Sequence, residues 1–171
     1  AFTSVGRNPG RGIYVVDLTT LEVTVLNTLD EAGGQLGELM PNSLHWSPDG
    51  NKILFPVWSE ASGGFLDARI AVLELNNPST VSTLINTPGR LEDYGRWSPD
   101  GSTVMFKWRW YDGVVWGATG ISHYSMSSGT EILWRSIDSG VPFDWSPDGT
   151  QIVYTTTEDT NPAEQYLYVG P

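Results

Sequence analysis

Histidine and cysteine, which often serve in acid–base and nucleophilic chemistry, are scarce in this chain. It has two histidines, His45 and His123, and no cysteine. Nucleophilic catalysis needs a nucleophile, a base and an orienting group. The Gly-x-Ser-x-Gly elbow that presents a catalytic serine does not occur in the sequence. A lone histidine on a strand is usually structural or solvated, so we expect no catalytic residue in this chain.

The spacings that hold metals and cofactors are also missing from the sequence. There is no His-x-x-x-His pair, no cysteine and no aspartate-rich calcium loop, and the carboxylates are scattered. Neither of the glycine patterns that bind nucleotide phosphates occurs. We therefore expect no metal site and no cofactor.

A dense aromatic stretch is the one unusual cluster that could recognise a ligand. It reads Lys-Trp-Arg-Trp-Tyr-Asp over 107–112, and Trp116 follows it. Alternate side chains of a strand share a face, so Trp108 and Trp110 are predicted on one face and the two cations on the other. If exposed, the rings would form a platform for a sugar ring or a protein partner. The candidate contact residues are Trp108, Trp110, Tyr111 and Trp116.

Burial is the alternative for these rings, which would then only pack between sheets. We expect at least one of Trp108 and Trp110 to be buried in this way. Tyr111 and Trp116, which we place in the loop after the strand, are better candidates for exposure. The hypothesis is that this loop is a recognition edge, so replacing both residues with alanine should weaken partner binding without altering the fold.

Strands must position these residues, and a repeated motif predicts where the strands lie. Trp-Ser-Pro-Asp-Gly occurs at Trp46–Gly50, Trp97–Gly101 and Trp145–Gly149, so the copies begin 51 and 48 residues apart. Proline presets φ in a tight turn, aspartate bonds to nearby amides, and glycine accepts a positive φ. Each motif is therefore predicted to be a hairpin tip with a structural role. The turn residues are Trp46, Pro48, Asp49, Gly50, Trp97, Pro99, Asp100, Gly101, Trp145, Pro147, Asp148 and Gly149.

The residues that follow each motif agree in type and spacing. A β-branched residue and an aromatic recur at the same two positions, and residues two apart share one face of a strand. These pairs are Ile53 and Phe55, Val104 and Phe106, and Ile152 and Tyr154. Short strands separated by such turn motifs, repeated about every 50 residues, are typical of four-stranded propeller blades.

The chain is therefore predicted to be a single all-β domain over 1–171 with about fourteen strands. Complete blades of four antiparallel strands are expected over 41–88 and 91–138. Incomplete blades of three strands are expected over 1–28 and 140–171. The fold prediction is thus a partial or assembled β-propeller with about 3.5 blades in this chain.

Several connections between these strands are predicted as loops or turns. The segment Leu29–Met40 is expected to be a surface loop, with contact to a partner as the alternative. Ser59–Leu66 is expected to be a Gly/Ser-rich loop, and 76–79 a hairpin turn. Near the start of the chain, Phe2 matches the recurring aromatic position if the strand register is kept.

Composition limits the classes of partner. The formal net charge is −11, with 20 Asp and Glu against 9 Lys and Arg, which disfavours nucleic acid as a partner. Solubility alone is the better explanation of such a charge. The sequence has no apolar run long enough for a transmembrane helix.

The motif, followed by an apolar strand, resembles the WD-like repeat of TolB-type β-propellers. Ile13–Leu18, which reads Ile-Tyr-Val-Val-Asp-Leu, is similar to the third-strand part of that repeat, and the segments at 70–75 and 166–169 match it loosely. The resemblance covers nearly the whole chain and is specific to the repeat. It is not specific to one activity.

The resemblance implies a non-enzymatic scaffold or protein-interaction module, periplasmic or extracellular, that acts as a subunit of a larger assembly. TolB-type propellers usually carry six blades, so we expect that this chain does not close a propeller alone. A protein partner or a second copy of the chain would complete it, or the chain is a piece of a longer one. One alternative is the propeller portion of a larger enzyme, either a prolyl-oligopeptidase-type serine peptidase or a saccharide lyase. Another is a saccharide-binding module that uses Trp108, Trp110 and Trp116.

Overall fold

The computed structural model describes residues 2–4, 12–28, 44–61, 65–111, 114–137, 143–158 and 161–170. These residues form fourteen β-strands and no helix. The strands are β1 Phe2–Ser4, β2 Gly12–Val16, β3 Val23–Thr28, β4 His45–Trp46, β5 Lys52–Ala61, β6 Phe65–Glu74, β7 Asn77–Ile85, β8 Arg90–Trp97, β9 Thr103–Tyr111, β10 Trp116–Ser125, β11 Thr130–Ile137, β12 Phe143–Trp145, β13 Ile152–Glu158 and β14 Asn161–Gly170.

Hydrogen bonds join the strands into three sheets. Strands β1 to β3 form one, β12 to β14 form another, and β4 to β11 form an eight-stranded sheet. Within the large sheet, β6 and β8 meet at a single parallel bridge between Ala68 and Leu91, whereas the other pairs are antiparallel. The large sheet therefore consists of two antiparallel sets of four strands. We refer to β1–β3, β4–β7, β8–β11 and β12–β14 as blades 1 to 4, and the predicted all-β partial propeller is confirmed.

The same strand register recurs in every blade. The aromatic of the second strand lies opposite the same position of the third strand, in the pairs Phe2 and Tyr14, Phe55 and Ala71, Phe106 and Ser122, and Tyr154 and Tyr168. In the first three blades the residue before that partner is a fully buried isoleucine, namely Ile13, Ile70 or Ile121. Phe2 therefore keeps the register that its sequence position predicts, although blade 1 is described from its second strand onward.

The hydrophobic core lies between neighbouring blades. In blades 2, 3 and 4, the β-branched residue and the aromatic after the turn pack toward the preceding blade. The three clusters contain Ile53 and Phe55 with Ile13, Val104 and Phe106 with Leu54, and Ile152 and Tyr154 with Met105. Because these pairs share one strand face, burial of one face brings both residues into the same interface. The face predicted from their spacing is confirmed.

A bulge in β8 brings blade 3 close to blade 2. The β8–β9 register shifts between Asp93 and Arg96, and Tyr94 adopts a positive φ of 56°. A Cβ on Gly95 would lie 2.5 Å from Leu54 Cδ2, so only glycine permits this approach. The described structure therefore uses both a strained residue and a glycine at this contact.

Some strand ends differ from the sequence prediction. Ser59–Leu66 is not a loop throughout, because β5 continues to Ala61 and β6 begins at Phe65. The turn between β6 and β7 is shorter than 76–79, since β7 already begins at Asn77. Backbone N–H and C=O groups form hydrogen bonds with the neighbouring strand even where the side chains are polar. The strands therefore extend beyond the apolar residues that mark them in the sequence, which explains both differences. The predicted loop at 29–40 lies outside the described residues.

Candidate interaction surfaces

The three motif turns share one hydrogen-bond arrangement. In the first, Ser47 Oγ donates to Asp49 Oδ1 at 2.5 Å, and the Lys52 amide donates to Ser47 Oγ at 2.9 Å. The Gly50 amide donates to the Ser47 carbonyl at 2.9 Å. The equivalent bonds occur in the other two turns, and the three glycines have φ of 72°, 72° and 71°. The serine thus ties the two strands together while it orients the aspartate.

These turns also fix the charge of their aspartates. The hydroxyl of Ser47, followed by the Asn51 amide, lowers the pKa of Asp49 to about 2. The hydroxyl of Ser98, followed by the Ser102 amide, lowers the pKa of Asp100 to about 2. Hydrogen bonds to a carboxylate favour its charged form, so both groups stay ionised throughout the physiological range.

A cavity of about 280 Å³ separates the turns of blades 2 and 3, and Asp49, Lys52, Trp97 and Asp100 contribute to its lining. A Cβ on Gly101 would meet Pro48 Cδ at 3.7 Å, so the two turns are stacked closely beside this space. Both carboxylates already accept hydrogen bonds within their own turns. We therefore assign this cavity to the stacking of blades.

Trp108 is a packing residue at the interface between blades 2 and 3. Its side chain is 7% exposed and belongs to the cluster of Leu54 and Phe106. Its indole Nε1 donates to Ser122 Oγ at 2.9 Å, and the Arg90 guanidinium lies 4.4 Å from the ring centre. The expectation that at least one of the two strand tryptophans is buried is confirmed. Trp108 is therefore too buried to contact a ligand, and its prediction as a contact residue is wrong.

Trp110, Tyr111 and Trp116 lie at the exposed end of the β9–β10 hairpin. Trp110 and Trp116 are each 44% exposed. The sequence predicts a loop at Tyr111 and Trp116, but Tyr111 ends β9, Trp116 begins β10, and the two residues pair directly. Their ring centres lie 4.5 Å apart with a tilt of 34°. Cross-strand aromatic pairing extends the hairpin here, and the alternation of the sequence alone did not reveal it.

The two exposed tryptophans occupy opposite faces of this hairpin. Trp110 shares the face of Trp108, because the two are separated by one residue on β9. Trp116 shares the other face with Tyr111 and Arg109, and the Arg109 guanidinium lies 4.4 Å from the Trp116 ring centre. The three tryptophans Trp108, Trp110 and Trp116 therefore do not form a single platform. We call Arg109, Tyr111 and Trp116 the aromatic edge.

A second exposed apolar surface lies on the β2–β3 hairpin of blade 1. We call its four residues the apolar hairpin. Their exposed fractions are 85% for Leu18, 72% for Leu21, 55% for Val23 and 49% for Val25. The turn is ordered, because the Thr19 amide donates to Asp17 Oδ1 at 2.7 Å. The equivalent turns of blades 2 and 3 carry Asn76 and the polar 127–129 segment, so the apolar character is particular to blade 1.

A buried charged group spans the interior face of blade 3. Arg90 donates to Glu131 through both terminal nitrogens, at 3.2 and 2.9 Å, and its Nε lies 3.9 Å from Glu92 Oε1. Glu92 is fully buried and accepts a hydrogen bond from the Thr87 amide at 3.0 Å. Burial raises the pKa of Glu92 to about 7, against the opposing effects of Thr87 and Arg90. This group connects the first and last strands of blade 3.

Both histidines lie within strands. His45 Nδ1 accepts a hydrogen bond from the Trp97 amide at 3.3 Å, and burial, followed by the nearby Arg96 cation, lowers the pKa of His45. His123 lies within β10, opposite Met105 and Ile132. Among the described residues no group of three or more His, Asp or Glu side chains is placed to hold a metal ion. No membrane-spanning helix is found in the same part of the chain.

Comparison with known proteins gives matches in structure alone. No protein-family model matches the chain, and no curated protein matches it significantly. TolB from Acinetobacter baumannii is similar with a TM-score of 0.63 and 20% identity, over 95% of this chain and 35% of that one. A protein assigned as TolB from Agrobacterium tumefaciens gives 0.62 and 21%, over 96% and 52% of the two chains.

A further solved structure is a propeller of another kind of protein. The β-propeller domain of the Trilobed protease from Pyrococcus furiosus, described as having an open velcro topology, gives a TM-score of 0.56 and 12% identity. It covers 75% of this chain and 37% of that one. The chain thus spans between about a third and about half the length of these structures. Its fold is that of a TolB-like β-propeller.

Proposed function

We propose that this chain is a non-enzymatic propeller module that acts through protein association, with a second copy of itself as the partner that completes the propeller. The observation that carries the proposal is the apolar hairpin of blade 1. Four aliphatic residues of this one hairpin are from 49% to 85% exposed. Surfaces of this kind mark association sites in soluble proteins.

The position of the apolar hairpin supports a partner that continues the propeller. Val23 lies opposite Val16 on the neighbouring strand. The corresponding residue of blade 2 is Val81, which lies opposite Leu73 and packs into the interface with blade 1. A similar contact on blade 1 would cover Val23 in the same way.

Symmetry supports a second copy as that partner. Two copies related by a two-fold axis bury the same surface on each, which makes closed dimers common. Another protein is the alternative partner, and the experiment below distinguishes the two.

The described side chains support a non-enzymatic role. His45 uses its Nδ1 to hold the Trp97 amide, and burial of Glu92 beside Arg90 leaves that carboxyl in packing between blades. A general base must reach a substrate proton directly or through one water, and neither group lies on an exposed surface. The resemblance to TolB-type propellers also supports a periplasmic or extracellular location, which fractionation of the producing cells would test.

Absolute mass in solution tests the proposal with a matched pair of variants. Val23→Thr with Val25→Thr keeps β-branched residues on β3 but removes apolar contact. Ile132→Thr with Leu133→Thr is the control, because these two residues are 56% and 53% exposed on β11. Loss of about 1 kcal/mol of apolar burial per valine predicts at least tenfold weaker dimerisation for the first variant. The control should dimerise like the unaltered chain.

Two outcomes would overturn the proposal. An unaltered chain that stays monomeric over the whole accessible concentration range has no second copy as its partner. Equal weakening by both variants would show that the apolar hairpin is not the contact surface.

A further inference from the structure

The aromatic edge combines a planar cation with two stacked aromatic rings. Arg109 is exposed on β9, and its guanidinium lies 4.4 Å from the ring centre of Trp116. The other side of the pair is Tyr111, whose ring centre is 4.5 Å from that of Trp116. Stacking on an aromatic face holds a guanidinium in a defined plane while its N–H groups stay available at the edge.

Arg109 differs in its charge balance from the three described cations that form ion pairs. Lys52, Arg90 and Lys107 each form an ion pair with a carboxylate, at 3.2, 2.9 and 3.5 Å respectively. Arg109 forms no such pair with any carboxylate in the part of the chain that the structure describes. In a chain with a net charge of −11, a stacked guanidinium that has no carboxylate partner among the described residues attracts an anionic group.

The surroundings of the edge specify the rest of the ligand. Val114 and Val115, which directly precede Trp116 in the sequence, are 86% and 59% exposed, so an apolar group of the ligand has apolar side chains to contact. Planar guanidinium groups bind carboxylates through two parallel hydrogen bonds. Exposed Tyr and Trp residues supply large contact areas at low entropic cost and dominate the binding energy of protein interfaces.

We infer that the aromatic edge binds an acidic peptide segment of a partner protein, with an Asp or Glu carboxylate on Arg109 and an apolar side chain against Trp116 and Val115. This site is separate from the apolar hairpin of blade 1. Binding here therefore does not depend on the completion of the propeller by a second copy.

Fluorescence anisotropy with two labelled peptides tests the inference on the full chain. One peptide alternates aspartate and glutamate with leucine and phenylalanine, and the other replaces each acid by its amide. At about 0.15 M salt the screening length is about 8 Å, which limits the general repulsion from a negatively charged protein. We expect the acidic peptide to bind at least tenfold more tightly than the amide peptide, since a charge-assisted pair contributes that much.

Three variants locate the site. Arg109→Gln should remove the preference for the acidic peptide, and Arg109→Lys should restore only part of it, because lysine keeps the charge but not the planar fork. Trp116→Ala should weaken both peptides by about tenfold. Trp110→Ala is the matched control, an equally exposed tryptophan on the opposite face of the same hairpin, and should change affinity less than twofold.

The contrary results are equally specific. Equal affinity for the two peptides, or an acidic preference that survives Arg109→Gln, would overturn the inference. So would binding of neither peptide, or binding of an acidic oligosaccharide such as oligogalacturonate in their place. An effect of Trp110→Ala equal to that of Trp116→Ala would move the contact away from the aromatic edge.

Discussion

Replacing Glu92 with glutamine should change how the stability of this protein depends on pH. Glu92 is fully buried at the interface side of blade 3, where the Thr87 amide donates to Oε1 at 3.0 Å. Glutamine has nearly the same shape and can accept the same hydrogen bond through its amide oxygen. The variant therefore removes the ionisation while it keeps the packing.

The pKa of Glu92 sets the sign and the size of the effect. Burial raises this pKa from 4.5 to about 7 in the folded protein. At low pH the carboxyl is protonated in both the folded and the unfolded protein. As the pH rises, it ionises more readily in the unfolded protein, so ionisation favours unfolding. The contribution of Glu92 to the free energy of unfolding is therefore fully present below pH 4.5 and is lost as the pH rises through about 7. Between about pH 5.5 and about pH 8 the linkage relation gives a loss of about 2 kcal/mol.

Urea unfolding at a series of pH values measures this loss. The free energy of unfolding of the unaltered chain should fall by about 2 kcal/mol relative to Glu92→Gln over that interval. Glu22→Gln, which replaces an exposed carboxylate on the β2–β3 turn, is the control and should follow the unaltered chain. Parallel curves for Glu92→Gln and the unaltered chain would refute the reasoning, because they would mean that Glu92 ionises as freely folded as unfolded.

Three further changes test the packing of the blades. Gly120→Ala should destabilise the fold by about 1–3 kcal/mol in thermal or urea unfolding, because the added Cβ would clash with the Trp108 ring. Unchanged stability would contradict the placement of that ring. Ser122→Ala should cost about 1–3 kcal/mol by leaving the buried Trp108 Nε1 without its acceptor, and the cost should shrink when Trp108→Phe is already present. Ser98→Ala removes a hydroxyl that binds both Asp100 and the Thr103 amide and should lower the free energy of unfolding by about 1–2 kcal/mol. An equal loss from Ser102→Ala would argue against a special role for Ser98.

The repeat architecture could be predicted from sequence because its causes are local. Proline, aspartate and glycine fix a tight turn by their own backbone preferences. The two-residue spacing of Ile53 and Phe55 fixes which strand face is buried, since strands alternate their side chains. The match of Phe2 to the recurring aromatic position followed from the same spacing. The structure places Phe2 opposite Tyr14, the third-strand position that corresponds to the partners of the other aromatics.

The features that sequence reasoning missed depend on contacts between distant residues. Gly95 is required by Leu54 on another blade, which no local pattern indicates. The bidentate pair of Arg90 and Glu131 joins residues 41 positions apart. In the β9–β10 hairpin, the alternation of side chains along a strand predicted that Trp108 and Trp110 share one face. Contacts with neighbouring strands decide that Trp108 is buried and Trp110 is exposed, and these contacts cannot be read from the local sequence.

The central claim is that this TolB-like propeller chain associates with a second copy of itself. Light scattering coupled to size-exclusion chromatography tests it most directly, because the mass is measured without assumptions about shape. The account predicts a mass near twice 18.8 kDa that falls toward the single-chain mass on dilution. A monodisperse species at the single-chain mass, unchanged at every concentration, would contradict the account.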